Sequence, residues 1–105
     1  MPARVKAENF DTEVLKSDKP VLVDFYSDSC VPCKRLSPVL FQIEEEYADS
    51  LKVVKLNINF DSSVAEQYKV YAAPTVVFFK NGIEQTRLHG LVKKSELIEA
   101  IENLK

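Results

Sequence analysis

Two cysteines stand with two residues between them in the run Ser29-Cys30-Val31-Pro32-Cys33, and they are the only cysteines in the chain. A thiolate attacks a disulfide sulfur, and a second thiol nearby then attacks the mixed disulfide and releases the product. At a helix start, Cys30 would face outward and Cys33, one turn further in, would be more covered. The positive end of the helix dipole and its free backbone N–H groups favour a thiolate at Cys30. That asymmetry assigns attack to Cys30 and resolution to Cys33.

Three other uses of such a pair compete. Zinc wants four ligands, and only one Cys-x-x-Cys and one distant histidine, His89, are on offer. A structural disulfide closing so short a loop contributes only about 2 kcal/mol in the chain-entropy account. Inert core thiols would need deep burial, which the flanking Ser29 and Lys34 oppose. A buried strand before the pair and a long helix after it favour redox chemistry.

Asp24 is the second informative residue, because it interrupts the apolar run Val21-Leu22-Val23-Asp24-Phe25-Tyr26. Burying a lone carboxylate is expensive, so its pKa should rise. A carboxyl at the base of the site could exchange protons with Cys33, directly or through water. The plainer alternative is a solvated aspartate at a sheet end. Lys55, on the next strand, is the natural counter-charge, though its position also suits an ordinary solvated lysine.

The elements that position these groups follow from hydrophobic spacing. Phe10, Val14 and Leu15 suggest a helix from Asn9 to Lys16 with Asn9 as its N-cap, ended by Pro20. Val21 to Tyr26 reads as a strand buried on both faces. After the cysteines, Leu36, Leu40, Ile43 and Tyr47 form one helical stripe, with Pro32 in the first turn and Pro38 expected to kink it. Leu51 to Ile58 is a second strand with Lys55 and Asn57 on one face. Asp61 or Ser62 can cap a short helix carrying Val64, Ala65 and Tyr68. Thr75 to Lys80 is a third strand, and Asn81-Gly82 predicts a type I′ hairpin returning through Ile83 to His89. Ser95 is placed as the cap of a last helix with Leu97, Ile98, Ile101 and Leu104 inward. A weak strand near Arg4 to Lys6 completes the order. Strands joined through helices imply parallel pairing, and the hairpin adds an antiparallel strand. The fold class is α/β, with a mixed sheet sandwiched by helices.

Composition narrows the function. The chain has 105 residues, expected to form one domain over 1–105, and 46% hydrophobic residues suffice for one core. Fourteen basic and sixteen acidic side chains leave a charge of -2, which speaks against a nucleic-acid partner. The longest apolar stretch, Val70 to Phe79, is half the ~20 residues a membrane span needs, and Pro74 interrupts it. Arg4 and the charges after it leave no apolar leader, so the expected address is cytoplasmic.

The chain resembles the thioredoxin family over nearly its full length. The matching stretches are Val21 to Tyr26, Cys30-Val31-Pro32-Cys33-Lys34 with Pro38, Val54-Lys55-Leu56-Asn57, Ala73-Pro74-Thr75, Phe79-Lys80-Asn81-Gly82, and Gly90. The resemblance implies a thioredoxin fold, with a mixed central sheet of four to five strands flanked by about four helices. It implies a protein-disulfide reductase acting on client proteins with reducible disulfides. Electrons would come from a thioredoxin reductase, a flavin enzyme drawing on NADPH, with no cofactor bound by this chain, expected as a monomer. By position, Cys30 matches the nucleophile, Cys33 the resolving thiol, and Asp24 the buried acid beside Lys55. Pro74 matches a cis-proline facing the cysteines; sequence alone favours trans, since only about 5–6% of X-Pro bonds are cis. Ala73 matches the position whose backbone pairs with the substrate chain. Gly90 matches a glycine that admits a partner's backbone, and Val31 and Pro32 complete the expected contact surface.

Departures from the family pattern bear on partners and potential. The usual Trp-Cys-Gly-Pro-Cys is here Ser29-Cys30-Val31-Pro32-Cys33, which removes an apolar surface and stiffens the turn. Tyr26 replaces a second tryptophan, and Ala73 is smaller than usual. His89 stands where an apolar residue is common; it either perturbs Cys30 when protonated or simply faces solvent. Two rival functions keep the same residues: an oxidant, isomerase or dedicated electron donor, or a binding module docking partners around Val31, Ala73, Pro74 and Gly90.

Overall fold

Strand β2 (Val21–Tyr26) runs through the middle of the molecule because its alternating side chains enter two different cores. Val21, Val23 and Phe25 enter one, Leu22 the other. The computed structural model describes residues 2–104; Met1 and Lys105, the ends of the expected 1–105 domain, lie outside the described residues. The five-stranded sheet has the order β1-β3-β2-β4-β5, where β1 is Ala3–Arg4, β3 Lys52–Asn57, β4 Thr75–Lys80 and β5 Ile83–His89. β1, β3 and β2 are parallel; β4 runs antiparallel to β2, and β5 antiparallel to β4.

Helix α1 (Val31–Glu46) and helix α3 (Lys94–Glu102) cover one face, enclosing Leu22, Leu36, Leu40, Ile43, Phe78 and Leu97. Helix α2 (Ser62–Gln67) and the N-terminal turns cover the other, where Phe10, Tyr68 and Phe79 meet with ring centroids 5.3 to 5.8 Å apart. Phe78 is 0% exposed. Phe78→Ala should cost about 3–5 kcal/mol, read as a lower denaturant midpoint with an unchanged slope.

The parity of β2 and β3 places the site. Asp24 lies on the Leu22 side, under α1, and Lys55 on the Val53 side, so both point to the same face. Parallel pairing sets them side by side, Asp24 opposite Lys55. The alternation expected for β3 therefore holds, and β2 is buried on both faces as expected.

Several local expectations need correction. The N-terminal helix is a 3₁₀ turn at Ala7–Asn9 followed by a π turn at Asp11–Leu15, closed by Lys16 N–H donating to the Asp11 carbonyl at 2.9 Å. Asn9 caps backward instead: its Oδ1 accepts from Lys6 N at 2.7 Å. Ser95 is not the cap of α3; the helix starts at Lys94, and Glu96 Oε1 accepts the Lys93 N–H at 3.1 Å, so a carboxylate inside the helix serves its entry. Ile98 is half-buried and packs against the core as expected, and Ala100 takes a further core position. β1 lies one to two residues earlier than Arg4 to Lys6, and β3 is one residue shorter at each end than Leu51 to Ile58. Helix α1 carries Pro38 inside it, as expected, and continues to Glu46.

The hairpin is as expected: Asn81 and Gly82 have φ of 54° and 77°, the left-handed pair that a type I′ turn requires. A Cβ on Gly82 would stand 2.9 Å from the Leu15 carbonyl oxygen, so a side chain there would strike backbone.

Candidate active site

The chain leaves β2 at Tyr26, turns through Ser27, Asp28 and Ser29, and enters α1 with Cys30 as its N-cap, φ -93° and ψ 109°. Pro32 sits in the first turn, where a helix makes no use of the missing N–H. Cys30 and Cys33 are joined as a disulfide, with Cα atoms 5.2 Å apart. Cys33 is buried at 6% exposure, whereas Cys30 is half-buried and Val31 is 58% exposed. One sulfur faces outward and one inward, as the spacing predicts. Cys30 Sγ accepts the Cys33 N–H at 3.1 Å. That N–H and the helix terminus would stabilise negative charge on the outer sulfur once the bond opens.

A second segment faces the pair. The Ala73–Pro74 peptide is cis, and the Ala73 carbonyl oxygen lies 3.5 Å from Cys30 Sγ. A reduced thiol at that spot would have this carbonyl as its acceptor. Gly90 N–H donates to the Pro74 carbonyl at 2.9 Å, which fixes the segment against the end of β5. Gly90 has φ +78°, and a Cβ built there would meet nothing within 4 Å, so the space above it is open. The Ala73 carbonyl thus faces Cys30, and Pro74, next to it in the chain, is joined to Gly90.

Beside Cys33 lies an open cavity of about 180 Å³ whose lining includes Asp24, Tyr26, Cys33, Ser37 and Lys55. It brings the aspartate, the inner cysteine and the lysine to one space, large enough for water. Asp24 is 6% exposed, and its Oδ1 is buried with no hydrogen-bond partner among the described residues. Burial pushes its carboxyl from the ordinary 3.8 up to about 7, and the nearby Lys55 charge pulls in the opposite direction. The Lys55 ammonium also faces an aromatic ring; its Nζ lies 5.4 Å from the centre of Tyr26.

His89 is exposed and ends β5 opposite Thr75, with Nδ1 3.4 Å from Thr75 Oγ1. Thr75, to which the sequence assigns no role, is buried and donates to the Ala72 carbonyl at 2.8 Å. Tyr71, 81% exposed two residues before Ala73, is a second such residue. An aromatic residue between a short helix and Ala-Ala-Pro was the available signal.

A larger cavity, about 800 Å³, lies at the opposite end of β2 and β3, among Ala3, Lys19, Glu44, Lys52 and neighbours. Its lysines are engaged: Lys19 Nζ donates to the Ala48 carbonyl at 3.2 Å and Lys52 Nζ to Glu13 Oε1 at 3.0 Å. Among the described residues, no three His, Cys, Asp or Glu side chains group as metal ligands. No described helix is long and apolar enough to cross a membrane.

Comparison with known proteins gives a consistent result. A family model described as Thioredoxin matches residues 1–103. A protein named Thioredoxin from Rickettsia bellii (strain RML369-C) is 41% identical over 103 residues, 98% of each chain. Another of that name, from Acidithiobacillus ferridurans, is 42% identical over 100 residues, 94% of this chain and 92% of its own. Thioredoxin Y, chloroplastic, from Oryza sativa subsp. japonica is 40% identical over 95 residues, 90% of this chain and 56% of its own.

Proposed function

This chain belongs to the thioredoxin family and is a thioredoxin-type protein-disulfide oxidoreductase, and from that premise we propose how its residues divide the work. In the reduced protein the Cys30 thiolate attacks one sulfur of a client disulfide. A mixed disulfide forms on Cys30 and the client's other sulfur leaves as a thiolate, which takes up a proton. Asp24 accepts the Cys33 proton, through water in the shared cavity where needed. The Cys33 thiolate then attacks Cys30 Sγ, the Cys30–Cys33 bond forms, and the second client sulfur leaves and is protonated. Two electrons pass to the client and the protein is left oxidised.

The observation that carries this reading is the pairing of a half-buried Cys30 with a buried Cys33 that shares a cavity with Asp24. Lys55 tunes that acid by its charge and supplies no proton in the scheme. The client chain lies along Ala73 and Pro74, pairs its backbone there as at a strand edge, and passes over Gly90, with Val31 and Pro32 beside it. The open space above Gly90 supports this path.

The proposed electron donor is a thioredoxin reductase, a flavin enzyme drawing on NADPH. The proposed setting is the cytoplasm, where such pairs are kept reduced, and the proposed state is a monomer. Client identity follows from access: a disulfide must reach Cys30 from outside, because Cys33 is covered.

The test is stoichiometric. Fully reduced protein mixed with a protein disulfide should release two client thiols for each Cys30–Cys33 bond formed. No release would overturn the reading. A dithiol potential near about -270 mV is expected for a reductant, whereas about -120 mV would mark an oxidant instead.

A further inference from the structure

We propose that His89 is a positioning residue for disulfide exchange, acting through Thr75 on the Ala72–Ala73–Pro74 segment that faces Cys30. The proposal rests on the reading that this segment seats the client chain. A threonine hydroxyl has one proton to donate and two lone pairs. Thr75 Oγ1 sends its proton to the Ala72 carbonyl at 2.8 Å. Towards His89 Nδ1, 3.4 Å away, it can therefore only accept. The contact is attractive when Nδ1 carries a proton, as in the imidazolium or the Nδ1–H tautomer.

In the other neutral tautomer, two lone pairs face each other. The hydroxyl must then either tolerate that or turn towards the ring and release Ala72. Either change acts on the segment whose next carbonyl, Ala73, lies 3.5 Å from Cys30 Sγ. The path is short: Thr75 adjoins Pro74, and the residue after His89, Gly90, donates to the Pro74 carbonyl at 2.9 Å. Thr75 and Gly90 together tie the end of β5 to the loop that carries Pro74.

Several charged or titratable groups lie on the elements around the ring. On its own strand, Arg87 is held by Glu84 at 2.6 and 2.7 Å. Lys69 and Tyr71 lie on the segment leading to Pro74. Lys93 and Lys94 lie at the start of α3, where Lys94 pairs with Glu46. Across the Ala73 carbonyl, the two cysteines titrate once their bond is opened. Among the described residues, Thr75 is the hydrogen-bond partner of the His89 ring. The proton on Nδ1 therefore answers to one hydroxyl.

The experiment compares wild type, His89→Leu and His89→Asn, using a disulfide-bearing protein substrate over pH 5.5–8.5, with ring titration and tautomer followed by ¹⁵N NMR. His89→Leu should raise KM about three- to tenfold, the range of one hydrogen bond, with kcat and the dithiol potential unchanged. His89→Asn, whose amide can donate to the same oxygen without titrating, should restore most of the loss. It should also remove the part of the pH profile that follows the wild-type ring. In a Thr75→Val background, adding His89→Leu should have no further effect, so the double variant should match Thr75→Val alone. If Thr75→Val does not fold, the two single His89 variants decide by themselves. A His89→Leu KM within twofold of wild type, or equal impairment in His89→Leu and His89→Asn, overturns the proposal. Wild-type protein that cleaves no disulfide sinks the underlying reading, whereas normal wild-type cleavage with an indifferent His89 sinks this proposal alone.

Discussion

Cys33→Ser is expected to turn a passing intermediate into a stable product. Cys30 can still attack, because its helix-terminal position and the backbone N–H of residue 33 do not depend on the Cys33 side chain. Nothing then remains to attack Cys30 Sγ from within, and the client stays bound through one disulfide. A non-reducing gel should show a discrete adduct that a small dithiol dissolves. Cys30→Ser should abolish client reduction altogether, because a hydroxyl cannot form the mixed disulfide and the remaining sulfur is buried at 6% exposure. An adduct through Cys33 in the Cys30→Ser protein, matching that of Cys33→Ser in yield, would reverse the assigned roles. Unimpaired turnover in both variants would remove the dithiol mechanism.

Asp24→Asn is expected to slow exchange while making the fold more stable. The native carboxyl holds its proton up to about pH 7, against about 3.8 in the unfolded chain. Between those values the native state binds more protons, so stability falls as pH rises. The contribution of the neutral carboxyl is fully present below about pH 4 and is lost as pH climbs through about 7. Asparagine keeps the shape and cannot ionise. At pH 8 the variant should therefore be more stable by on the order of 4 kcal/mol, and the two proteins should converge below about pH 4. The same change removes the acceptor for the Cys33 proton. Release of the mixed disulfide at neutral pH should slow by roughly a hundredfold, the lower end of what positioned acid–base groups contribute. Denaturant melts across pH check the first claim and stopped-flow single turnovers the second. A variant no more stable than wild type at pH 8 would mean that the carboxyl is solvated in the native protein.

Much of this was legible because the relevant forces are local. The alternation in Val21 to Tyr26 fixes which side Asp24 enters, and the Cys-x-x-Cys spacing fixes which sulfur is covered. Asn81-Gly82 signals its own turn because few residues accept that backbone. Helix beginnings were harder to place. Asn9 and Ser95 look like caps by residue type, yet Asn9 found the Lys6 N–H behind it and Glu96 took the entry of α3. The contact between Thr75 and His89 depends on the strand register of β4 and β5, a long-range fact no short motif carries. The cis geometry of Pro74 was expected only through family resemblance.

With one of its two cysteine sulfurs within reach of other molecules, the protein has one landing place for every visitor. Whatever hands electrons in and whatever takes them away must use it in turn. Steady-state traffic between a donor and an acceptor should accordingly follow ping-pong kinetics, with parallel double-reciprocal lines, and an excess of either visitor should crowd out the other. The arrangement makes this small domain a courier rather than a bridge.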